Sequence, residues 1–140
     1  MQIDIDPLSE VPIYQQLRDR VVEAIAGGEL EPGEALASVR RLAVAFGINV
    51  ATVGKGYDLL RQEGLIRTNH KSGSVVARGP ATGPADDSFL RSWEPRLTTL
   101  LAEAVAQGAT EEQILTRVRE RLSEFGVRPA APEDHREETP

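Results

Sequence analysis

The sequence predicts a mostly α-helical protein, in which three helices and a β-hairpin are followed by a pair of helices. Three observations lead to this fold class. Apolar residues recur at helical spacing in five stretches, glycines follow the first four, and two short strand-like runs flank a polar turn after the third. At 140 residues, the chain has room for one domain with an appendage or for two small domains.

The first helix is predicted to begin near Pro12 and to end at Gly27-Gly28. Its apolar side consists of Ile13, Leu17, Val21 and Ile25. Residues 2–6 alternate in polarity before this helix, which predicts either a short strand or a simple arm. Residues 29–34 are rich in turn-forming residues and predict a connector.

Residues 38–64 predict a short helix, a tight turn and a longer helix. Ser38 is a good N-cap for the first helix, and Gly47 provides its end. Asn49 caps the second helix, which Gly64 ends. This spacing is typical of the DNA-binding helix-turn-helix, although many other helical hairpins share it.

The second of these helices has a predicted inner side and a flat outer side. Val50, Val53, Tyr57 and Leu60 are predicted to face inward, and Ala51, Gly54, Lys55 and Asp58 outward, with Thr52 on the flank. In a DNA major groove, Thr52 and Lys55 can reach base edges, and Ala51 can contact a thymine methyl group. Gly54 is explained by close approach to DNA, whereas Gly56 indicates tight packing between helices.

The charge distribution favours an anionic partner for this segment. The net charge is −6, but residues 38–80 carry seven basic and two acidic side chains, between two acidic flanks. Arg40 and Arg41 fall in the first turn of a helix, where the helix dipole disfavours cations. This placement indicates that DNA phosphate binds there. The alternative is that both arginines pair with carboxylates.

Residues 65–68 and 74–77 predict two strands, and residues 69–73 predict the turn between them. A hairpin with a basic tip after a helix-turn-helix is typical of a wing. At this tip, His70 and Lys71 can enter a minor groove or contact phosphate. For His70, the alternative is an ordinary exposed turn residue.

The runs IYQQLRDRVVEAIAGGELEPGEAL, SVRRLAVAFGINVATVGKGYDLLRQEGLI and SGSVVA resemble the winged helix-turn-helix domain of GntR-family bacterial transcription regulators. The resemblance covers residues 11–77. By similarity, Arg40, Thr52, His70 and Gly73 match family positions that approach DNA. The chain departs from the family pattern at Ala37, Val50, Gly54, Gly56 and Lys71. The full predicted DNA-binding set is Ser38, Arg40, Arg41, Asn49, Ala51, Thr52, Lys55, Tyr57, His70, Lys71 and Gly73, with phosphate contacts expected from Ser38, Arg41, Tyr57 and Lys71.

The second half of the chain predicts two more helices. Pro95 lies early in the first of them and either kinks it or marks its start. Residues 110–113 form a capping box that opens the last helix. The predicted organisation is a DNA-binding domain at 1–78, a linker at 79–87, a two-helix dimerisation domain at 88–126 and a disordered tail at 127–140.

Two helices of this size cannot bury both apolar stripes on each other, so a second copy is the simplest partner. GntR members with such a short helical tail resemble the YtrA subfamily, in which the tail dimerises. The predicted interface is Phe89, Trp93, Leu97, Leu100, Leu101, Ile114, Leu115, Val118 and Leu122. Trp93 is its expected anchor. The alternative, that Trp93 stacks on a ligand, needs a pocket of a size that so short a helix pair is not expected to offer.

The expected function is that of a homodimeric, sequence-specific transcriptional regulator that acts as a repressor at an inverted-repeat operator in double-stranded DNA. The alternative is a winged-helix module for protein–protein contacts or assembly that does not read DNA. No nucleophile–base pair, phosphate-binding glycine loop or metal-ligand spacing is present, so we expect no enzyme, cofactor or metal. The absence of cysteine, of an apolar run near 18 residues and of a leader predicts a cytoplasmic protein without membrane contact. An unknown small-molecule effector stays open as a further partner.

Overall fold

The computed structural model describes residues 3–127. The elements in chain order are α1 (Ile13–Ala26), α2 (Val39–Phe46), α3 (Val50–Gln62), β1 (Ile66–Asn69), β2 (Gly73–Val76), α4 (Asp87–Ala106) and α5 (Glu111–Glu124). Contacts divide the chain into two compact units, with the boundary between Leu90 and Arg91. The predicted fold class, three helices with a β-hairpin wing and then two helices, is confirmed.

The core of the first unit forms around α3, against which both α1 and α2 pack. Its largest fully buried side chains are Tyr57, Leu17, Leu60, Val21, Val53 and Val76. These residues come from α1, α3 and β2, and Leu42 and Ala43 add the buried side of α2. The helix-turn-helix is therefore held on a core that includes the first helix and the hairpin.

Gln16 fastens the N-terminal arm to α1. Its buried side-chain oxygen accepts a 2.8 Å hydrogen bond from the Asp6 backbone N–H. Its nitrogen donates to the carbonyl oxygens of Asp6 and Val11, at 2.9 and 2.8 Å. Ile3 is buried in the core, yet residues 3–6 form no strand. Of the two alternatives predicted for this segment, the arm is therefore the one found in residues 3–6.

Residues 33–36 pair with β2, although the sequence predicted only a connector up to residue 34. The Gly33 N–H donates to the Val76 carbonyl at 2.8 Å, and the Val76 N–H donates to the Glu34 carbonyl at 2.9 Å. The Leu36 N–H donates to the Ser74 carbonyl at 2.8 Å. Residues 33–36 thus lie beside β2 as a third extended segment next to the two-stranded hairpin. This pairing attaches the wing to the chain just before α2.

Residues 77–86 form no helix or strand, and they belong to the first unit. Gly79 is buried, and a Cβ placed on it would lie 3.5 Å from Pro32 Cδ. Helix α4 begins at Asp87 and continues through Pro95, so Pro95 does not mark the helix start. Residues 128–140 of the tail predicted over 127–140 lie outside the described residues.

The second unit contains most of α4 and all of α5. Thr110 and Gln113 form the predicted capping box: the Thr110 hydroxyl accepts from the Gln113 N–H at 3.2 Å, and the Gln113 side chain accepts from the Thr110 N–H at 2.9 Å. Neither α4 nor α5 has a buried residue in the single chain, and the two helices make few contacts with one another. None of the helices within residues 3–127 is both long and apolar enough to cross a membrane.

Candidate nucleic-acid interface

The helix-turn-helix is built by the caps that the sequence predicted. The Ser38 hydroxyl accepts from the Arg41 N–H at 3.1 Å, and the Asn49 side-chain oxygen accepts from the Ala51 N–H at 2.8 Å. Gly47 ends α2 in the left-handed region, at φ 64°. Ser38 and Asn49 remain exposed at the starts of α2 and α3, with these side-chain oxygens engaged in capping.

The outer side of α3 is shallow and accessible. Ala51, Lys55 and Asp58 are exposed as predicted, and Thr52 and Gly54 are half-buried. A Cβ placed on Gly54 would meet no atom within 4 Å. At Gly54, this side of the helix can therefore approach another molecule closely.

Gly56 lies on the opposite side of α3, and its role in tight packing is confirmed. A Cβ on Gly56 would lie 3.1 Å from Leu17 Cδ2 and 3.1 Å from the Tyr14 carbonyl oxygen. Because Tyr14 and Leu17 belong to α1, the missing side chain lets α1 and α3 come into direct contact at this point.

The structure corrects the predicted orientation of Val50. Val50 was predicted to face inward with the core residues of α3, but it is 48% exposed. The buried side of α3 begins with Val53, and Val50 is the first helical residue. Helical spacing gave the correct side for the residues after it but does not show how far the core extends along a helix.

The structure also corrects the predicted role of Tyr57. Tyr57 was predicted to contact phosphate, but its side chain is only 1% exposed and its hydroxyl donates a 2.5 Å hydrogen bond to the Ala37 carbonyl oxygen. Burial raises the pKa of the phenol to about 12, although the positive charge of Arg61 opposes the shift. Tyr57 therefore belongs to the core, and it is left out of the DNA-contacting set below.

Arg40 and Arg41 are both exposed at the start of α2. No carboxylate within residues 3–127 forms an ion pair with either guanidinium. Within this part of the chain, the arginines therefore do not pair with carboxylates, which was the alternative. Two adjacent positive charges at the N-terminal end of a helix are available to an anionic partner.

The hairpin has the geometry predicted for a wing. Strands β1 and β2 are antiparallel, with Asn69 opposite Gly73 at the tip. The Asn69 side chain accepts from the Lys71 N–H at 2.9 Å, and Gly73 takes a φ of 73° that favours glycine. His70 and Lys71 are exposed at this tip.

Arg61 connects α3 to the wing, a role that the sequence analysis missed. Its Nε donates to the Thr68 hydroxyl at 3.1 Å, and a terminal nitrogen donates to the Ser74 hydroxyl at 2.8 Å. Thr68 and Ser74 face each other across the two strands. An arginine in the last turn before a hairpin is the only signal in the sequence, and it is too common to indicate this bridge.

Comparison with known proteins agrees with this architecture. The family model described as "Bacterial regulatory proteins, gntR family" matches residues 13–76. The HTH-type transcriptional repressor YtrA of Bacillus subtilis is 32% identical over 118 residues, which cover 84% of this chain and 90% of that protein. The chain belongs to the GntR family.

Two solved structures extend the comparison of this GntR-family regulator. YtrA from Sulfolobus acidocaldarius, a GntR-family transcription factor, is 38% identical with a TM-score of 0.57, over 74% of this chain and 97% of that one. A transcriptional antiterminator from Listeria monocytogenes has a TM-score of 0.81 over 94% of this chain and 97% of that one. At 24% identity, it shows the shared fold alone. The resemblance to YtrA and to GntR regulators is thereby confirmed.

The residues predicted for a dimer interface lie on the surface of α4 and α5. Leu97 and Ile114 are half-buried, and the others are exposed: Phe89, Trp93, Leu100, Leu101, Leu115, Val118 and Leu122. Leu100 is 63% exposed, a large value for a leucine in the middle of a helix. An apolar stripe of these nine residues, most of them in contact with water, favours association with another apolar surface.

The pair α4 and α5 leaves an open groove of about 780 Å³ near the Gly108 turn. This volume is larger than the sequence analysis expected for so short a helix pair. Leu100, Ala104, Ile114 and Val118 are among its lining residues, but Trp93 is not. Within residues 3–127, no cluster of His, Asp and Glu side chains is suited to hold a metal ion.

Proposed function

We propose that this GntR-family regulator is a homodimeric, sequence-specific DNA-binding repressor that recognises an inverted-repeat operator. One observation carries the proposal: the shallow outer side of α3 is accompanied by exposed cations without ion pairs within residues 3–127, in a chain whose net charge is −6. An acidic protein that keeps its unpaired positive charge beside a helix-turn-helix has the surface that phosphate binding requires.

Helix α3 is the proposed reading element. Ala51 offers a methyl group to thymine, and the Thr52 hydroxyl offers a hydrogen bond to a base edge. Gly54 keeps the centre of the surface flat, so that the helix can lie deep in the major groove. Asn49, the N-cap of α3, lies at the end of the helix that is proposed to enter the major groove first.

Phosphate contacts are proposed for the exposed residues around α3. Ser38, Arg40 and Arg41 at the start of α2 contact one strand, and His70, Lys71 and Gly73 at the wing tip contact the flank. These contacts position the protein without reading sequence, so the operator sequence is determined by α3.

A dimer through residues 88–126 is the proposed assembly, with residues 1–78 as the DNA-binding domain. The exposed stripe that includes Trp93, Leu100 and Val118 supports it, since burial against a second copy removes this apolar surface from water. The Bacillus subtilis relative is named a transcriptional repressor, and this supports repression as the outcome of binding.

The experiment is an in vitro selection from random duplex DNA with the full chain at near-physiological salt. We expect an inverted repeat whose half-sites lie about one helical turn apart. A Leu100→Glu variant, designed to dissociate the dimer, should enrich single half-sites. No enrichment by folded wild-type protein would overturn the proposal and favour a module for protein–protein contacts.

A further inference from the structure

Lys55 is held by an aromatic ring from another helix. Its Nζ lies 3.9 Å from the centroid of the Tyr14 ring, within the range of a cation–π interaction. No carboxylate within residues 3–127 forms an ion pair with Lys55. This ammonium on the surface of α3 therefore lies against Tyr14, the second residue of α1.

The contact depends on the close approach of α1 and α3. The Tyr14 carbonyl oxygen lies against Gly56, the residue directly after Lys55, where a Cβ would be only 3.1 Å away. Without a side chain at Gly56, the first turn of α1 comes close enough for the Tyr14 ring to lie beneath the Lys55 ammonium. On the outer side of α3, Ala51 contributes only a methyl group and Gly54 no side chain at all.

We propose that Tyr14 is a positioning residue that holds Lys55 at the α1-facing edge of α3 and assigns it to a DNA phosphate instead of a base edge. The inference rests on the proposed function, and it replaces the expectation that Lys55 reads a base. The edges of a helix in the major groove meet the phosphates on either side. A lysine ammonium acts there as a point charge, and the ring reduces the rotamer freedom lost on binding.

The first test is a double-mutant cycle on the selected duplex, using fluorescence anisotropy with wild-type protein, Tyr14→Leu, Lys55→Gln and the double variant. Tyr14→Leu should weaken binding about two- to fivefold, as expected for a lost cation–π contact. The double variant should bind like Lys55→Gln alone, because the ring then has no ammonium to hold. Tyr14→Phe keeps the ring and should restore wild-type affinity.

If Tyr14→Leu lowers the affinity for the duplex equally in the presence and absence of Lys55, the inference is overturned. As long as wild-type protein binds the duplex, the proposed function is not affected by that result. Absence of wild-type binding overturns the proposed function and this inference with it. A readout without DNA separates positioning from general damage: the Lys55 side-chain proton resonances should be shifted upfield by the ring current in wild-type and Tyr14→Phe protein, and not in Tyr14→Leu. Unshifted Lys55 resonances in wild-type protein would also overturn it.

The second test distinguishes phosphate from base contact. Lys55→Gln should weaken binding to all duplexes in a panel of single-base operator variants by the same factor, and should lower the slope of log affinity against log salt by about one. Selective loss of discrimination at one base pair, with the salt slope unchanged, would assign Lys55 to a base and overturn the inference.

Discussion

The Tyr57 hydroxyl donates a hydrogen bond to the Ala37 carbonyl oxygen, and this bond connects the middle of α3 to the residue before the N-cap of α2. The ring is buried among residues of the first unit's core. The bond therefore fixes the beginning of α2 relative to α3, on which the proposed DNA-binding surface depends.

Removal of this hydroxyl is the first prediction. Tyr57→Phe keeps the buried ring but leaves the Ala37 carbonyl oxygen without this donor, so we expect the free energy of unfolding to fall by about 1 kcal/mol. Urea titration with an unchanged m-value is the measurement. A stability equal to that of wild-type protein would show that water replaces the hydroxyl at no cost.

The same residue predicts a loss of stability at high pH. The phenol has a raised pKa of about 12 in the fold, against a usual value of about 10 in the unfolded chain. The protonated phenol therefore contributes stability fully below the unfolded pKa, and this contribution is lost as pH rises toward the folded pKa. Between about pH 9 and about pH 11, the free energy of unfolding of wild-type protein should fall more than that of Tyr57→Phe. Parallel curves for the two proteins would contradict the assignment.

Gly54 and Gly56 provide a matched pair of substitutions in one helix. Gly54→Ala meets no atom within 4 Å and should stabilise the fold by up to about 1 kcal/mol, the difference in helix propensity. Gly56→Ala places its methyl group against the Tyr14 carbonyl oxygen and the Leu17 side chain. Because α1 must move to admit the methyl group, we expect a net loss of about 1 kcal/mol. Urea midpoints of the two variants should move in opposite directions, and a shared direction would refute the packing argument.

Gly54 also separates stability from function. If α3 lies close to DNA at this point, Gly54→Ala should weaken operator binding about tenfold while it stabilises the protein. The added methyl group would hold the helix away from the base edges, where a good base contact is worth roughly 1–3 kcal/mol. Anisotropy titration with the selected duplex is the measurement. Unchanged affinity in the stabilised variant would place Gly54 away from the DNA.

Lys71 at the wing tip is predicted to contact phosphate. Lys71→Ala should weaken binding evenly across duplex sequences and lower the salt slope by about one. Arg119→Ala removes the same charge from an exposed position on α5 and serves as the control. Equal effects of the two variants would indicate a response to net charge, with no specific contact from the wing.

The apolar stripe on α4 is predicted to hold two copies together. Leu100→Glu should shift the sedimentation coefficient toward that of a monomer, because burial of a carboxylate at the interface is costly. Ala102→Glu carries the same charge on the opposite side of the helix, about 180° away by helical geometry, and should leave association unchanged. A wild-type protein that sediments as a monomer would reject the dimer.

Local signals in the sequence predicted much of this fold. Ser38, Asn49 and Thr110 cap helices as expected, and Gly47 ends one. The hairpin after Gly64 also appears where its turn residues placed it. Caps, turns and helical spacing depend on neighbours within four or five residues, so that their signals can be read along the chain.

The tertiary structure alone decided how these elements meet. It placed Val50 on the surface, buried the Tyr57 hydroxyl against Ala37 and paired residues 33–36 with β2. It also brought Lys55 over the Tyr14 ring, 41 positions earlier in the chain. Such contacts depend on the packing of distant segments around a shared core, and neither periodicity nor composition carries that information.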